Sequence, residues 1–467
     1  MISFNKLDGY RLLHAGSLAI ARAERAGIRI DKEIYIENTK TIKEKAKNLS
    51  ESFLNSGIGK FWSKSFNKKL NLNSNSQLHK IMCDYFCIGD NKEEIETNEG
   101  FLLSLGISEL ADLVLFRKYE KLTDTYIASY IRESVDDFIH PSFSLHNAVT
   151  YRSSCSYPNL QGVPIRDEES MEYCRGGMFA RRGHMLVEVD LRGAEVSCGA
   201  CYHKDPEMVR YLNDKNSDMH ADQAILLYKL EKFFDIINAG GFRIDPNLNR
   251  LRQGAKNGFV FPEFYGDYYK NCSLNLSRIW GKLPNGNWVP GTGVELPGGV
   301  KLSDHLISQN IKCLDDFILH VKKIEYNFWN KRFFVYNKWK KEWNEKYKKT
   351  GSFDMLSGFR CGGVMGKNES INHPIQGTAF HILLWSFIEV DKAMILEKWK
   401  SRLIGEVHDS MLLDVHPDEL KKVIETINDI IKNKLKKHFE WINVPIDIEI
   451  NVGEVDGSWA TMRPYYI

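Results

Sequence analysis

Long apolar runs are missing from this 467-residue chain. No stretch approaches the roughly 20 residues that a membrane-spanning helix needs, so no membrane partner is expected. Cysteine is sparse. Nine in a chain of this length make no disulfide scaffold, and nothing resembles a secretory signal, so a reducing, cytoplasmic setting is expected. Cys198 and Cys201 form a CxxC without the further cysteines or histidines that a zinc site would want, and they read as small buried residues on a helix. No repeat of fixed period is present. Excess charge is absent too: 63 Lys and Arg stand against 61 Asp and Glu, and a net charge of +2 names no partner. One local absence says more. Between Glu51 and Asp84 there is no acidic residue, yet Lys60, Lys64, Lys68, Lys69 and Lys80 are there, interleaved with Phe61, Trp62 and Phe66. Such a run is either a solvated face or a polyanion contact, the latter with Lys68 and Lys69 in it.

What is present builds a large core: 43% of residues are hydrophobic, enough for two or three subdomains. Helical periodicity from Leu12 to Ala23 leads into an extended "AGIRID" and a further helix, "EIYIENTKTIKEKAKNL". Residues 150–184 are turn-rich. Asp218 and Asp245 cap helices, the second with Pro246 in the first helical position. After a loop-like insert around residues 281–299, aromatics from Trp329 to Tyr347 recur at three- to four-residue steps, as a packing face or as a surface for stacking bases. "NHPIQGTAF" reads as a helix opened by Asn372. "RLIGEVHDSMLLDV" reads as two strands around a tight turn bearing His408 and Asp409, and "VPIDIEINVG" as a closing strand. Strands and helices alternate without βαβ regularity, so the expected fold is α+β with a palm-like sheet.

Two acids break apolar patterns where strands leave the core: Asp190, ending "LVEVD", and Asp409 in the hairpin turn. If they converge, they repel, and a hard divalent cation with oxygen ligands is the natural filler. The plain alternatives are two unrelated turn aspartates, or an ion pair of Asp190 with Arg192. Paired carboxylates with Mg²⁺ suit phosphoryl transfer. Arg252 and Lys256, four apart, share a helix face and invite an anion such as a triphosphate, with His220 as a third donor. The following "VFPEFYG" offers aromatic surface.

These residues resemble, in order along nearly the whole chain, the polymerase region of family A DNA polymerases. "AERAGIRID", "LNLNSNSQLHKIM" and "KLTDTY" are similar to segments before, at the tip of and ending the thumb. "TYRSSCSYPNLQGVPIR" resembles TGRLSSxxPNLQNIPxR, and "VDLRGAEV" the first catalytic motif. "RQGAKNGFVFPEFYG" resembles the fingers motif RxxxK…YG, "NHPIQGTA" resembles NxPxQGTA, and "VHDS" the last catalytic motif. The resemblance implies a right-hand architecture with an antiparallel palm sheet and largely helical thumb and fingers. Residues 1–30, 127–215 and 366–467 would form the palm, 31–126 the thumb and 216–365 the fingers.

It also implies roles. Asp190, Asp409 and the carbonyl of Leu191 would hold two Mg²⁺ ions. Arg252, Lys256 and His220 would grip a dNTP, Lys256 also protonating the leaving pyrophosphate. Tyr265 would stack near the templating position, and Glu195 would stand where a ribose 2′-OH would go. That acid separates a DNA polymerase from a single-subunit RNA polymerase of the same fold; a non-catalytic nucleic-acid-binding subunit is the third alternative. Arg152, Asn372, Gln376 and His408 would line the minor groove of the primer–template, where acceptors are alike for every correct pair. Arg166 falls on a family position without a definite task.

The chain departs from the family's pattern in places. Ser410 stands where many relatives have Glu, and no metal role is assigned to it. Arg192 and Gly193 follow Asp190. From Lys256 to Tyr265 the spacing is one residue longer, with Pro262 inside it, so the sugar contact falls on Phe261 counted back from Tyr265 or on Val260 counted forward; Phe261 is preferred. The resemblance begins so early that no 3′–5′ exonuclease is expected here. A separately encoded exonuclease or a processivity factor would be partners, and a phage or mobile-element replicase, working in the host cytoplasm, is the expected role.

Overall fold

The computed structural model describes residues 6–88, 97–165, 167–214, 216–277, 279 and 286–466. Its centre is a five-stranded antiparallel sheet of β1 (Met185–Arg192), β2 (Arg402–Val407), β3 (Ser410–Val415), β4 (Asp447–Val452) and β5 (Arg463–Tyr465). The spatial order is β2-β3-β1-β4-β5. Side chains alternate across β1 with period two: Val187, Val189 and Leu191 enter the main core, while Leu186 joins a second core on the other face. Glu188, Asp190 and Arg192 share that second face. Asp190 lies opposite Ser410 on β3 and Glu449 on β4.

Two expectations shift here. Asp190 does not end its strand, because Leu191 and Arg192 go on pairing with Ile448 and Asp447. Nor is β4 the last strand, since β5 pairs alongside it. The α+β class holds, and the β2–β3 hairpin turns at His408 and Asp409 as expected.

The helix Lys6–Ala26 lies against β2 and against the helix Lys367–Leu396, to which Arg22 is tied by its Nε 3.0 Å from Asp391. The latter helix starts five residues before Asn372, with Gly366 donating its N–H to Glu369 at 2.7 Å. Pro374 therefore sits inside it, where the ring removes the N–H that would bond the Ser370 carbonyl. That carbonyl is instead taken by the indole N–H of Trp343 at 3.0 Å. The proline is accommodated by a partner remote in sequence.

The described residues of the segments 53–88 and 97–114 pack around a separate small core of Phe53, Trp62, Leu78, Ile81, Leu110 and Leu113. Trp62, fully buried, donates to Gln77 at 2.9 Å, so this aromatic in the lysine-rich stretch is core. Asp218 and Asp245 cap the helices Met219–Tyr228 and Pro246–Ala255 as expected. The extra residue before Tyr265 is absorbed by one π turn, Lys256–Val260, in which Phe261 N–H bonds back to Lys256. Trp329, Phe333, Tyr336 and Tyr347 are buried in the main core, the packing reading of that stripe. Among the described residues no helix is long and apolar enough to cross a membrane.

Candidate active site

The β2–β3 turn puts His408 in the left-handed region, φ +59°, the backbone twist a two-residue hairpin demands. Asp409 follows, and its carbonyl accepts the N–H of Leu191 at 2.9 Å. The two acid-bearing segments thus meet through backbone. Burial pushes the Asp190 carboxyl up to about 7, with Asp409, Glu188 and Glu449 adding repulsion. Arg192 does not neutralise it; it reaches Glu449 at 3.3 Å on the surface, so the ion-pair alternative falls. Ser410 is buried and donates to Glu188 at 2.9 Å.

Among the described residues no group of three or more His, Cys, Asp or Glu is arranged to hold a metal. Two acids of like charge, the first in a site that disfavours its ionised form, do fit a hard cation whose remaining ligands come from backbone, water or substrate phosphate. Leu191, expected to lend its carbonyl, lies beside Asp190 with its N–H held by Asp409.

Gly193, at φ +62°, turns the chain from β1 into the helix Ala194–His203, which sets Glu195 near the strand's end. Arg152 bridges the two motifs: one terminal nitrogen is 3.3 Å from Glu195 and the other 3.3 Å from Asp409. Glu195 also accepts the Tyr265 hydroxyl, and its proximity, after burial, raises the phenol's pKa. Asn372 donates to the Tyr265 carbonyl at 3.2 Å. Gln376, one turn further along the same helix, is half-buried, and His408 is exposed. Contacts therefore run from Asp409 through Arg152 and Glu195 to Tyr265 and Asn372.

The basic face forms its own corner. Arg252 donates from Nε to Asp218 at 2.7 Å, joining its helix to the one carrying His220. Lys256 Nζ lies 5.2 Å from the centre of the Phe261 ring, and His220 meets that ring edge-on at 5.6 Å. Burial, then Arg252 and Lys256, lowers His220 to about 4, so the imidazole is neutral at physiological pH. Val260 is fully buried, whereas Phe261 is half-buried among these groups. The expected aromatic surface is thereby reduced: Phe264 belongs to the core, leaving Phe261 and Tyr265.

Lys68 and Lys69 stand exposed in the turn Asn67–Lys69, part of the separate helical lobe and not of this constellation. Arg166 lies outside the described residues. One acid escaped notice. Glu406 is 2% exposed and accepts from Ser153 and, at 2.7 Å, from Gln161, the residues flanking Arg152's segment. Burial pushes it up to about 7. An acid inside the apolar run "LIGEV" was the available signal, of the same kind as Asp190.

Comparison with known proteins joins this geometry to a family. The sequence profile of DNA polymerase family A matches residues 39–234 and 360–460, spanning both aspartates but not the altered fingers segment. DNA polymerase I of Chloroflexus aurantiacus is 22% identical over 463 residues, 94% of this chain and 42% of that protein. The DNA polymerase of Bacillus phage SP01 is 22% identical over 420 residues, 84% of this chain and 40% of its own length. The chain thus spans about two-fifths of these relatives. Among solved structures, the POL domain of Pol1 from M. smegmatis, in complex with DNA primer-template and dNTP, superposes with a TM-score of 0.71 at 19% identity, covering 96% of this chain and 70% of that one. The palm sheet and helical surroundings are those of a right-hand polymerase, and the chain belongs to DNA polymerase family A.

Proposed function

We propose that this chain is a template-directed DNA polymerase that extends a primer 3′-OH with dNTPs. The observation that carries this reading is the line of contacts Asp409–Arg152–Glu195–Tyr265, which links an acidic pair to the aromatic end of a cationic segment. A structural relative captured with primer-template and dNTP supports the same partners. Two Mg²⁺ ions, held by Asp190, Asp409 and the Leu191 carbonyl, would supply Lewis acidity at the attacking and leaving oxygens.

The chain's own residues do the rest. Arg252 and Lys256 meet the triphosphate as charges, and neutral His220 meets it as a hydrogen-bonding group. Lys256 is the proton donor to the departing pyrophosphate. Phe261 packs on the sugar and Tyr265 beside the templating base. Glu195, held by Arg152 and Tyr265, occupies the space a 2′-OH would need, which favours dNTPs over NTPs. Arg152, Asn372, Gln376 and His408 test pair geometry through the minor groove. Lys68 and Lys69, on the separate lobe, contact the duplex backbone. A phage relative and the altered fingers segment support a phage or other mobile-element replicase.

Primer extension on a defined template with Mg²⁺ tests the proposal, comparing dNTPs with NTPs and matched with mismatched 3′ ends. Extension by dNTPs that stops on chelation is expected. Preferential use of NTPs would establish the RNA polymerase reading instead, and no extension would leave a binding subunit.

A further inference from the structure

Glu263 is the only acid between Asp245 and Asp267, it lies two residues before Tyr265, and it points away from the site. It is 1% exposed and accepts the indole N–H of Trp329 at 2.7 Å and the thiol of Cys272 at 3.6 Å. Lys340 stands over the face of that indole, with Nζ 3.1 Å from the ring centre. Trp329 itself is pinned edge-on by Phe328 and Tyr336, with centroids at 5.0 and 5.4 Å. A carboxylate in such surroundings is costly: burial raises its pKa and Glu325 adds to the rise, outweighing the Trp329 bond and the Lys340 charge, which lower it. A Leu would pack there without that cost. The acid's position gives it a use. The short helix Phe261–Phe264 follows a π turn and contains Pro262, which has no N–H to give the backbone ladder. A hydrogen bond from a rigid indole supplies the anchor that the backbone lacks.

We propose that Glu263 is a positioning residue: its bond to Trp329 sets the rotation of the Phe261–Phe264 turn, and so where the Phe261 ring meets the sugar of an incoming nucleotide and where the Tyr265 hydroxyl holds Glu195. The inference rests on the polymerase function proposed above and deepens it, since it makes sugar choice depend on a pair that touches no substrate. Glu195 is held by Tyr265, Tyr265 by the turn, and the turn by Trp329.

The test is single-nucleotide incorporation with dNTP and NTP by the wild type and by Glu263→Ala, Glu263→Gln and Trp329→Phe. Trp329→Phe keeps most of the ring volume and loses the N–H, so it reports even if Glu263→Ala fails to fold. Glu263→Ala and Trp329→Phe are each expected to raise KM for dNTP about tenfold and to cut the dNTP-over-NTP preference about tenfold, with kcat changed less. Glu263→Gln keeps a carbonyl acceptor and is expected within about threefold of wild type. A fall in thermal stability with sugar preference unchanged in Trp329→Phe would overturn the proposal, leaving a merely structural contact. Glu263→Gln as impaired as Glu263→Ala would overturn it as well. If the wild type extends nothing, the polymerase reading fails first and takes this inference with it.

Discussion

The Leu191 N–H and the Asp409 carbonyl are 2.9 Å apart, so the segments bearing the acidic pair are joined by main chain and not by their side chains. Removing one carboxylate should therefore spare the fold. Asp409→Asn is expected to lower extension at least about a thousandfold, the several kcal/mol that a lost metal ligand represents, with Tm within about 3 °C of wild type. Unchanged extension would place the catalytic centre elsewhere.

Arg152 and a cation compete for Asp409. The guanidinium is 3.3 Å from the carboxylate, and both side chains are about one-quarter exposed, so the pair is worth about 1 kcal/mol. Arg152→Met should bind a luminescent lanthanide roughly fivefold more tightly in the absence of DNA, while extending primers more slowly. Weaker cation binding in the variant would show that Arg152 does not shield the acids.

Tyr265 holds Glu195 through its hydroxyl. Tyr265→Phe removes that bond and keeps the ring, so template-directed incorporation should survive while ribonucleotide incorporation rises about tenfold. Glu195→Ala, which removes the obstructing acid itself, should raise it further. A Tyr265→Phe enzyme with wild-type sugar preference would show that Arg152 alone suffices to hold Glu195.

Glu406 makes stability depend on pH. Its folded pKa of about 7 stands above the 4.5 of an unperturbed carboxyl because of burial. Between those values the folded chain holds a proton that the unfolded chain has lost, so stability falls as pH rises toward 7. Glu406→Gln keeps the shape without the titration. It should be about 3 kcal/mol more stable than wild type at pH 8 and little different near pH 4.5, by urea denaturation. An equal difference at both pH values would argue against a buried ionisation.

The sequence showed the acid pair because both aspartates interrupt apolar strands, and it showed the capped helices because Asp218 and Asp245 carry their own local chemistry. Features decided by remote partners were hidden. Asp190 continues in a strand because β4 lies beside it. The extra residue between Lys256 and Tyr265 is taken up by a π turn that no composition announces. The motif around Arg152 speaks of DNA but not of its two ion pairs with Glu195 and Asp409, which only the folded chain brings near. Glu406 carried the same signal as Asp190, an acid in an apolar run, and went unread because its partners Ser153 and Gln161 lie far away in sequence.

The start of the helix Lys367–Leu396 offers a direct measurement of such a remote partnership. Pro374 cannot bond the Ser370 carbonyl, Ser370 is fully buried, and Trp343 supplies the missing donor at 3.0 Å. Trp343→Phe should therefore cost about 1–2 kcal/mol, the penalty for a buried carbonyl left unpaired, beyond any change in packing. Pro374→Ala restores an N–H at the position that normally bonds residue 370. In that background Trp343→Phe should cost about 1 kcal/mol less, a coupling of the size expected for residues sharing one acceptor. Chemical denaturation of the two single variants and the double variant gives the coupling directly. Strict additivity would mean that Ser370 finds another partner, and that the helix passes through its proline for some reason other than Trp343.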